Sequence, residues 1–359
     1  MKLLIKVALT VICPVILACT KNTPGYMTAY PEGYPVTFDI SIEGSPLTRG
    51  SRLDVSHIDK YGVYGIFGKK VFASNVVFQR NADGTWSQDK PLTTPEGNVN
   101  FYAVNASFAK ISAGGVMDKL TMNSSRQTFT YTVPESSEDQ FDLMYSSSIG
   151  VNVYENGGRT GLSFRPALSA LNFTIINKME EDCTVTVGGI SVYNMIDSGT
   201  FTFDATTSNT GTWEEGTTRG KMVRIFDEPF EVSRTKQYLV DKDTLFLVIP
   251  QPKTTKWKTK DTSPVSTLEA DMEGHVYIKL LCKIKNANGH YVLGSDSTYG
   301  DVYLPANILK TTEGKTVTYS ITFSGGYDSE GQPMSFGSGF DIDVDPWTYG
   351  NDTPEDMEF

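Results

Sequence analysis

What this 359-residue chain has little of narrows its function first. Cysteine occurs only at Cys13, Cys19, Cys183 and Cys282. No two of them form a C-x-x-C pair, so zinc and dithiol redox motifs have no frame. Histidine occurs at His57, His275 and His290, in separate segments, and nothing reads H-E-x-x-H or G-x-S-x-G. Gly314, Lys315 and Thr316 end like a phosphate-binding loop, but Leu309 stands where that loop needs its first glycine. These absences predict a protein that is not an enzyme and takes no cofactor and no metal. Cations are outnumbered, 31 Lys and Arg against 42 Asp and Glu, for a formal charge of −11. An acidic chain without a Lys/Arg stripe is a poor partner for phosphates, which argues against nucleic acid. Beyond the N-terminus no apolar run reaches the ~18 residues that a spanning helix needs. Helical periodicity is scarce as well, with one candidate turn at 307–310.

The N-terminus reads as an export signal. Lys2 and Lys6 form a short basic region, and an apolar run over 7–17 follows, interrupted by Thr10 and Pro14. Its length fits a signal-peptide core and is too short to cross a bilayer. The run ends Ile16, Leu17, Ala18, Cys19, an order that resembles the bacterial lipobox, where the cysteine is acylated and becomes the first residue. A plain signal peptide cut near Ala18 is the simpler reading of the same residues. Either cut removes Lys2 and Lys6 and no acid, leaving 29 cations against 42 acids and a charge of −13. One acyl chain anchors marginally and several anchor stably, so lipidation at Cys19 predicts a membrane-held protein.

What is abundant is β chemistry. The chain has 18 Tyr, 19 Phe and 32 Gly, set among many Thr, Val and Ser, and alternation with period two recurs. It predicts strands at 36–42, 61–67, 75–79, 99–105, 128–133 and 142–147 in the first half. In the second half it predicts 162–164, 170–176, 184–193, 199–203, 244–249, 275–284, 301–304, 316–323 and 340–344. Over 36–42, apolar Val36, Phe38, Ile40 and Ile42 alternate with Thr37, Asp39 and Ser41, so one face is buried and the other wet. Asn81, Ala82, Asp83 and Gly84 before Trp86 form a hairpin turn. The Gly/Asn-rich stretch 155–159 marks a domain boundary. The predicted fold is all-β, with two tandem antiparallel β-sandwich domains after a lipoprotein signal peptide. Its parts are a signal peptide (1–18), a tether (19–34), an N-terminal β-sandwich (35–158), a C-terminal β-sandwich (159–350) and an acidic tail (351–359). The Lys/Thr-rich loop 251–268 is expected on the surface. Cys183 and Cys282 lie in alternating stretches, and either a disulfide or two separate buried thiols fits them.

Several phrases together resemble the fimbrillin-like lipoproteins of anaerobic Gram-negative bacteria, whose best-known members are type V pilins. They are the lipobox at Cys19, then Leu47, Thr48, Arg49, Gly50, and then Tyr61, Gly62, Val63, Tyr64. Asn100 to Ala103 and Asp142 to Tyr145 follow. The phrase Arg165, Pro166, Ala167, Leu168, Ser169 has Pro166 where the family often has histidine. Leu247 to Gln251 and the ending Ile342 to Trp347 complete the set. The resemblance implies two transthyretin-like sandwiches and a lipid-anchored, palmitate-bearing protein of the outer membrane and cell surface. It also implies partnership with other fimbrial subunits by donor-strand complementation. In such pilins a protease cuts after Arg or Lys behind the first strand, that strand leaves, and a strand of the next subunit fills the groove. Carried over, Val36, Phe38, Ile40 and Ile42 belong to the removable strand, and Arg49 or Arg52 is the cut site. Phe340, Ile342 and Val344 belong to a donor, or to the last strand of their own domain. Arg49 and Arg52 are also readable as solvated loop residues.

Two weaker constellations remain. Asp341, Asp343 and Asp345 have calcium-loop spacing, but Pro346 stands where the loop needs glycine, so they read as the wet side of a strand. Trp86, Trp213, Trp257 and Trp347 lie near turns. An exposed aromatic cluster would suit a host or glycan ligand, with Trp257 the best candidate. The competing function is therefore a monomeric surface lipoprotein that binds such a ligand.

Overall fold

The computed structural model describes residues 33–43, 58–105, 120–179, 183–239, 245–254, 275–308, 310–327, 333–334 and 343–349. The described part is all-β. Among these residues no helix is long and apolar enough to cross a membrane.

The first half is built around one seven-stranded sheet. Its order runs Thr37–Ile42, Arg159–Pro166, Met144–Val151, Val99–Val104, Lys60–Phe67, Lys70–Arg80, Trp86–Gln88. The sheet rolls over on itself. Phe38 on the first strand meets Phe101 at 5.1 Å and Phe78 at 5.4 Å, on strands three and five places away in that order. Thr37–Ile42 and Arg159–Pro166 thus form a second layer, and Phe38, Tyr61, Val63, Phe78, Phe101 and Phe164 fill the space between. The opposite face of the same strands is also buried. Tyr64, Tyr102 and Tyr145 share a core with Phe129, Phe201 and Phe203. Those phenylalanines belong to a four-stranded sheet ordered Gly211–Glu215, Ser198–Phe203, Arg126–Thr132, Leu120–Asn123. This sheet takes two strands from each half of the chain, so residues far apart in sequence share one core.

The second half places two sheets face to face. One is ordered Gln237–Tyr238, Ser169–Asn177, Thr316–Phe323, Asp343–Tyr349, with Phe246–Val248 also paired to Ser169–Asn177. The other runs Arg219–Glu231, Thr184–Ile196, Tyr277–Lys285, Gly300–Pro305, then the short Gly326–Tyr327 and Pro333–Met334. Phe173, Ile175, Tyr319 and Ile321 meet Val185, Ile190, Val192 and Leu280 in the larger core. Ser169–Asn177 is buried at nearly every position, as expected for a strand whose two faces are both covered.

Several sequence expectations change. The turn expected at 307–310 is absent from its described residues: Ile308 is a buried residue in irregular backbone. The surface loop does not begin at Gln251, which is buried with hydrogen bonds on every side. Its Oε1 accepts from the Ile196 N–H at 2.9 Å, and its Nε2 donates to the carbonyls of Ile196 and Ile249. The 13-residue strand Arg219–Glu231 escapes period-two reading because Asp227, Glu228 and Pro229 interrupt it as a bulge. Arg159–Pro166, placed by sequence at the start of the second sandwich, is hydrogen-bonded inside the first sheet. Cys183 and Cys282 are separate buried thiols, and Cys282 faces Val187 across its ladder.

Candidate strand-exchange site

The first strand, Thr37–Ile42, follows the alternation read from its sequence. Val36 and Phe38 are buried, Ile40 and Ile42 half-buried, and Thr37, Asp39 and Ser41 exposed. It runs parallel to Arg159–Pro166, with Phe38 opposite Thr160 and Ile42 opposite Phe164. A parallel neighbour requires a long crossover, which here is the whole stretch between the two strands. The ends of the ladder are pinned by the Thr37 N–H to the Gly158 carbonyl and the Glu43 N–H to the Phe164 carbonyl, each 2.7 Å. Outside the ladder, Ser41 Oγ donates to Ser163 Oγ at 3.0 Å. Arg159 Nη2 lies 2.6 Å from Asp39 Oδ1, and this bond holds the Asp39 carboxyl below the usual carboxylate range. Among the described residues the strand has no ladder on its other edge.

A second feature was not legible in the sequence. Met144–Val151 pairs with Arg159–Pro166 only at Met144 and Tyr145, and beyond them the two strands separate. The turn at 204–210 from the second half enters that gap. Asn209, held at φ 54°, accepts from the Ser147 N–H at 2.9 Å through Oδ1 and donates its own N–H to Ser147 Oγ at 2.8 Å. Ser208 Oγ accepts from the Ile149 N–H, and Arg165 Nη1 donates to the Asn209 carbonyl. Ser146 and Ser147 are the sequence trace of this gap, because short polar side chains leave room for the turn and still bond to Asn209, while Ser148 Oγ meets Thr160 Oγ1 at 3.4 Å on the neighbouring strand. The first strand and its parallel partner therefore lie beside a gap in the main sheet that is closed at one end by the Met144 and Tyr145 pairing and at the other by the 152–158 turn, where the Gly158 N–H donates to the Val153 carbonyl at 2.9 Å.

Two carboxyls near the joint between the halves are shielded from water. Asp142 ends the connection over 134–143, and neither of its oxygens has a hydrogen-bond partner. Burial pushes its carboxyl up to about 7. Burial also raises Glu313 to about 7, against the opposing pull of Arg165. Nearby Tyr131, whose hydroxyl is buried without a partner, is pushed up by burial and by Asp142.

Of the other predicted site residues, Val344 lies in the strand Asp343–Tyr349, opposite Ile321 of Thr316–Phe323. Cys19, Arg49, Arg52, Trp257, Phe340 and Ile342 lie outside the described residues. Trp213 is half-buried and donates Nε1–H to the Ala167 carbonyl at 2.8 Å, and Trp86 packs edge-on against Tyr61.

Fold and edge together define a layered β-sandwich protein that carries an aromatic-backed strand on an open sheet edge. The fimbrillin-like family matches residues 48–347, and the chain belongs to it. The match begins after the first strand has ended. Among solved structures, a fimbrial protein from Bacteroides vulgatus is similar at TM-score 0.51 and 12% identity, over 87% of this chain and 99% of that one. That likeness shows the fold. The tip fimbrial protein Mfa3 from Porphyromonas gingivalis, with a C-terminal truncation, is similar at TM-score 0.38 and 8% identity, over 86% and 99%. The second likeness is too slight to bear on the argument. No curated protein matches the chain in sequence.

Proposed function

We propose that the chain is a cell-surface lipoprotein that serves as a fimbrial subunit or fimbria-associated adhesin and assembles by β-strand addition. Acylation at Cys19 anchors it to the outer membrane. Cleavage after Arg49 or Arg52 frees the strand Thr37–Ile42, and an extended strand of another subunit takes its place. The observation that carries this reading is the first strand itself. Among the described residues Thr37–Ile42 is a sheet-edge strand with one parallel neighbour, entered through a short pairing of Tyr34 and Pro35 with Thr94 and Thr93, and it closes a core containing Phe38, Phe78 and Phe101. Its removal leaves a row of unpaired backbone groups beside open apolar pockets, and an incoming strand satisfies both. The last strand is already paired to Thr316–Phe323, so a donor role for Val344 requires it to leave that ladder first.

Treating the purified mature protein with a trace of Arg-specific protease tests the proposal. Cleavage after Arg49 or Arg52 followed by a ladder of oligomers on size exclusion supports it. Clean cleavage with the protein still monomeric refutes assembly by this edge. A second reading, a monomer that binds a ligand, has one observation in its favour. Tyr193 stacks on Tyr277 at 4.6 Å, and Tyr303 adjoins at 6.0 Å on the face that carries Lys279 and Asp301. Glycan-array binding lost on Tyr193→Ala would favour it.

A further inference from the structure

We infer that the pole of the first sandwich from which the N-terminal segment emerges rests on the membrane surface, through the hairpin tip that joins Lys60–Phe67 to Lys70–Arg80. The inference rests on the lipid-anchor reading of Cys19 and adds a contact made by the folded domain.

Register fixes the geometry of this pole. Tyr34 pairs with Thr94, Ile66 with Asn100, Val151 with Val99, and Thr37 with Arg159. The described chain starts at Gly33, so tightly set that a Cβ there would lie 2.8 Å from the Thr94 carbonyl oxygen. Three residues further on, a Cβ on Gly97 would lie 3.2 Å from the Phe67 ring. The exit of the N-terminal segment and the hairpin tip are therefore close neighbours. The second core lies the other way, although the 204–210 turn of the second half reaches back along Met144–Val151 as far as Ile149. Arg159–Pro166 runs from this pole to the opposite one, where Ala167 donates to the Leu143 carbonyl and the second core begins. Gly33 stands fourteen positions after Cys19, a reach of at most roughly 50 Å.

The tip has the chemistry of an interfacial contact. Phe67 is 37% and Val71 39% exposed, and they flank the tip from opposite faces, so only a partner met end-on covers both. Among the described residues the other large exposed apolar side chains, Ile225, Tyr238 and Val292, stand on separate strands of the second half. Lys69 and Lys70 lie between Phe67 and Val71, suited to anionic headgroups at the depth where the apolar pair enters. Gly68, at φ +56°, has no described residue within 4 Å of a Cβ position, so among the described residues the tip projects outward. Glu96 and Glu155, exposed on the same pole, face the same headgroups and keep the contact shallow.

The test places an environment-sensitive fluorophore on Phe67→Cys in the acylated protein, with Val292→Cys as comparison. The native thiols Cys183 and Cys282 are buried and leave the label selective. On phosphatidylethanolamine–phosphatidylglycerol vesicles, position 67 is expected to shift to the blue and be quenched by brominated lipid, while position 292 stays unchanged. Adding Lys69→Glu and Lys70→Glu is expected to abolish the shift. No shift at 67, or equal shifts at both positions, overturns the inference. Flotation with the vesicles reports the anchor separately. If the protein does not float, the anchor reading fails, and the signal at 67 under saturating phosphatidylglycerol vesicles decides the contact alone.

Discussion

Among the described residues each half of the molecule contains one parallel strand pair, and the two pairs end differently. In the second half Ser169–Asn177 lies beside Thr316–Phe323, and Asp343–Tyr349 closes the outer edge of the pair. In the first half Thr37–Ile42 lies beside Arg159–Pro166, and among the described residues nothing follows it. One pair has its next neighbour and the other lacks it. Arg219–Glu231 offers a third case, a long edge guarded by its own chemistry. The segment over 135–137 bridges to Val223, Glu135 and Glu138 pair with Lys221 and Arg224, and the bulge carries Asp227, Glu228 and Pro229. Charges, proline and bulges are the usual means of keeping an edge from pairing. The first strand has a single exposed ion pair, Asp39 with Arg159, and no bulge within its ladder. Of these three, it is the edge least protected against a new neighbour.

Matched truncations sharpen this comparison most. Phe323→Ala in the second core is expected to cost about 3–5 kcal/mol, the usual range for a buried phenylalanine. Phe38→Ala is expected to fall at or below the low end, about 3 kcal/mol, because its strand is held from one side. Urea unfolding followed by hydrogen exchange over Arg159–Pro166 and over Thr316–Phe323 separates the two effects. Equal losses with equal protection would break the comparison.

The joint between the halves makes a prediction about pH. An unfolded Asp142 ionises near 3.8, while the folded one keeps its proton to about 7. Between these values the folded state binds more protons, so stability falls as pH rises from about 4 to 7 and is level above. The full fall is up to about 4 kcal/mol for this one group. Glu313 adds in the same direction. Asp142→Asn is expected to flatten most of that slope in unfolding midpoints measured from pH 4 to 8. If the slope belongs to one half alone, the shared core does not couple the two halves.

Gln251→Ala strips the partners from the Ile196 N–H and carbonyl and should cost about 2 kcal/mol, with the change confined to the second half. The smallest effect is expected from Arg159→Ala. Its pair with Asp39 is well exposed, and removing it should leave the unfolding midpoint unchanged at physiological salt.

Most strand positions were legible, because an exposed or half-covered strand writes its burial into alternate residues. Thr316–Phe323 lies where the pattern put it, and Thr37–Ile42 shows the predicted inward and outward sets. Gly84 takes φ +83° in the hairpin turn, as the Asn81 to Gly84 sequence required. Where the pattern was interrupted the reading lost its grip, as in Arg219–Glu231, whose pairing jumps from Ile225 to Phe230 around the bulge. Gln251 misled for a related reason: composition marks a glutamine beside a polar loop as solvated, and only its five hydrogen bonds show it buried.

The sequence by itself determined the all-β class, the position of most strands, the family, and the inward set Val36, Phe38, Ile40, Ile42. All of these depend on local spacing, which neighbouring residues carry. Only the tertiary structure decided that Thr37–Ile42 takes a parallel partner 122 positions away, that Asn209 fills the gap beside Met144–Val151, and that one four-stranded sheet draws on both halves. Pairing between distant strands is chosen by how whole faces fit and by which backbone groups are left to satisfy, and no window of adjacent residues records either.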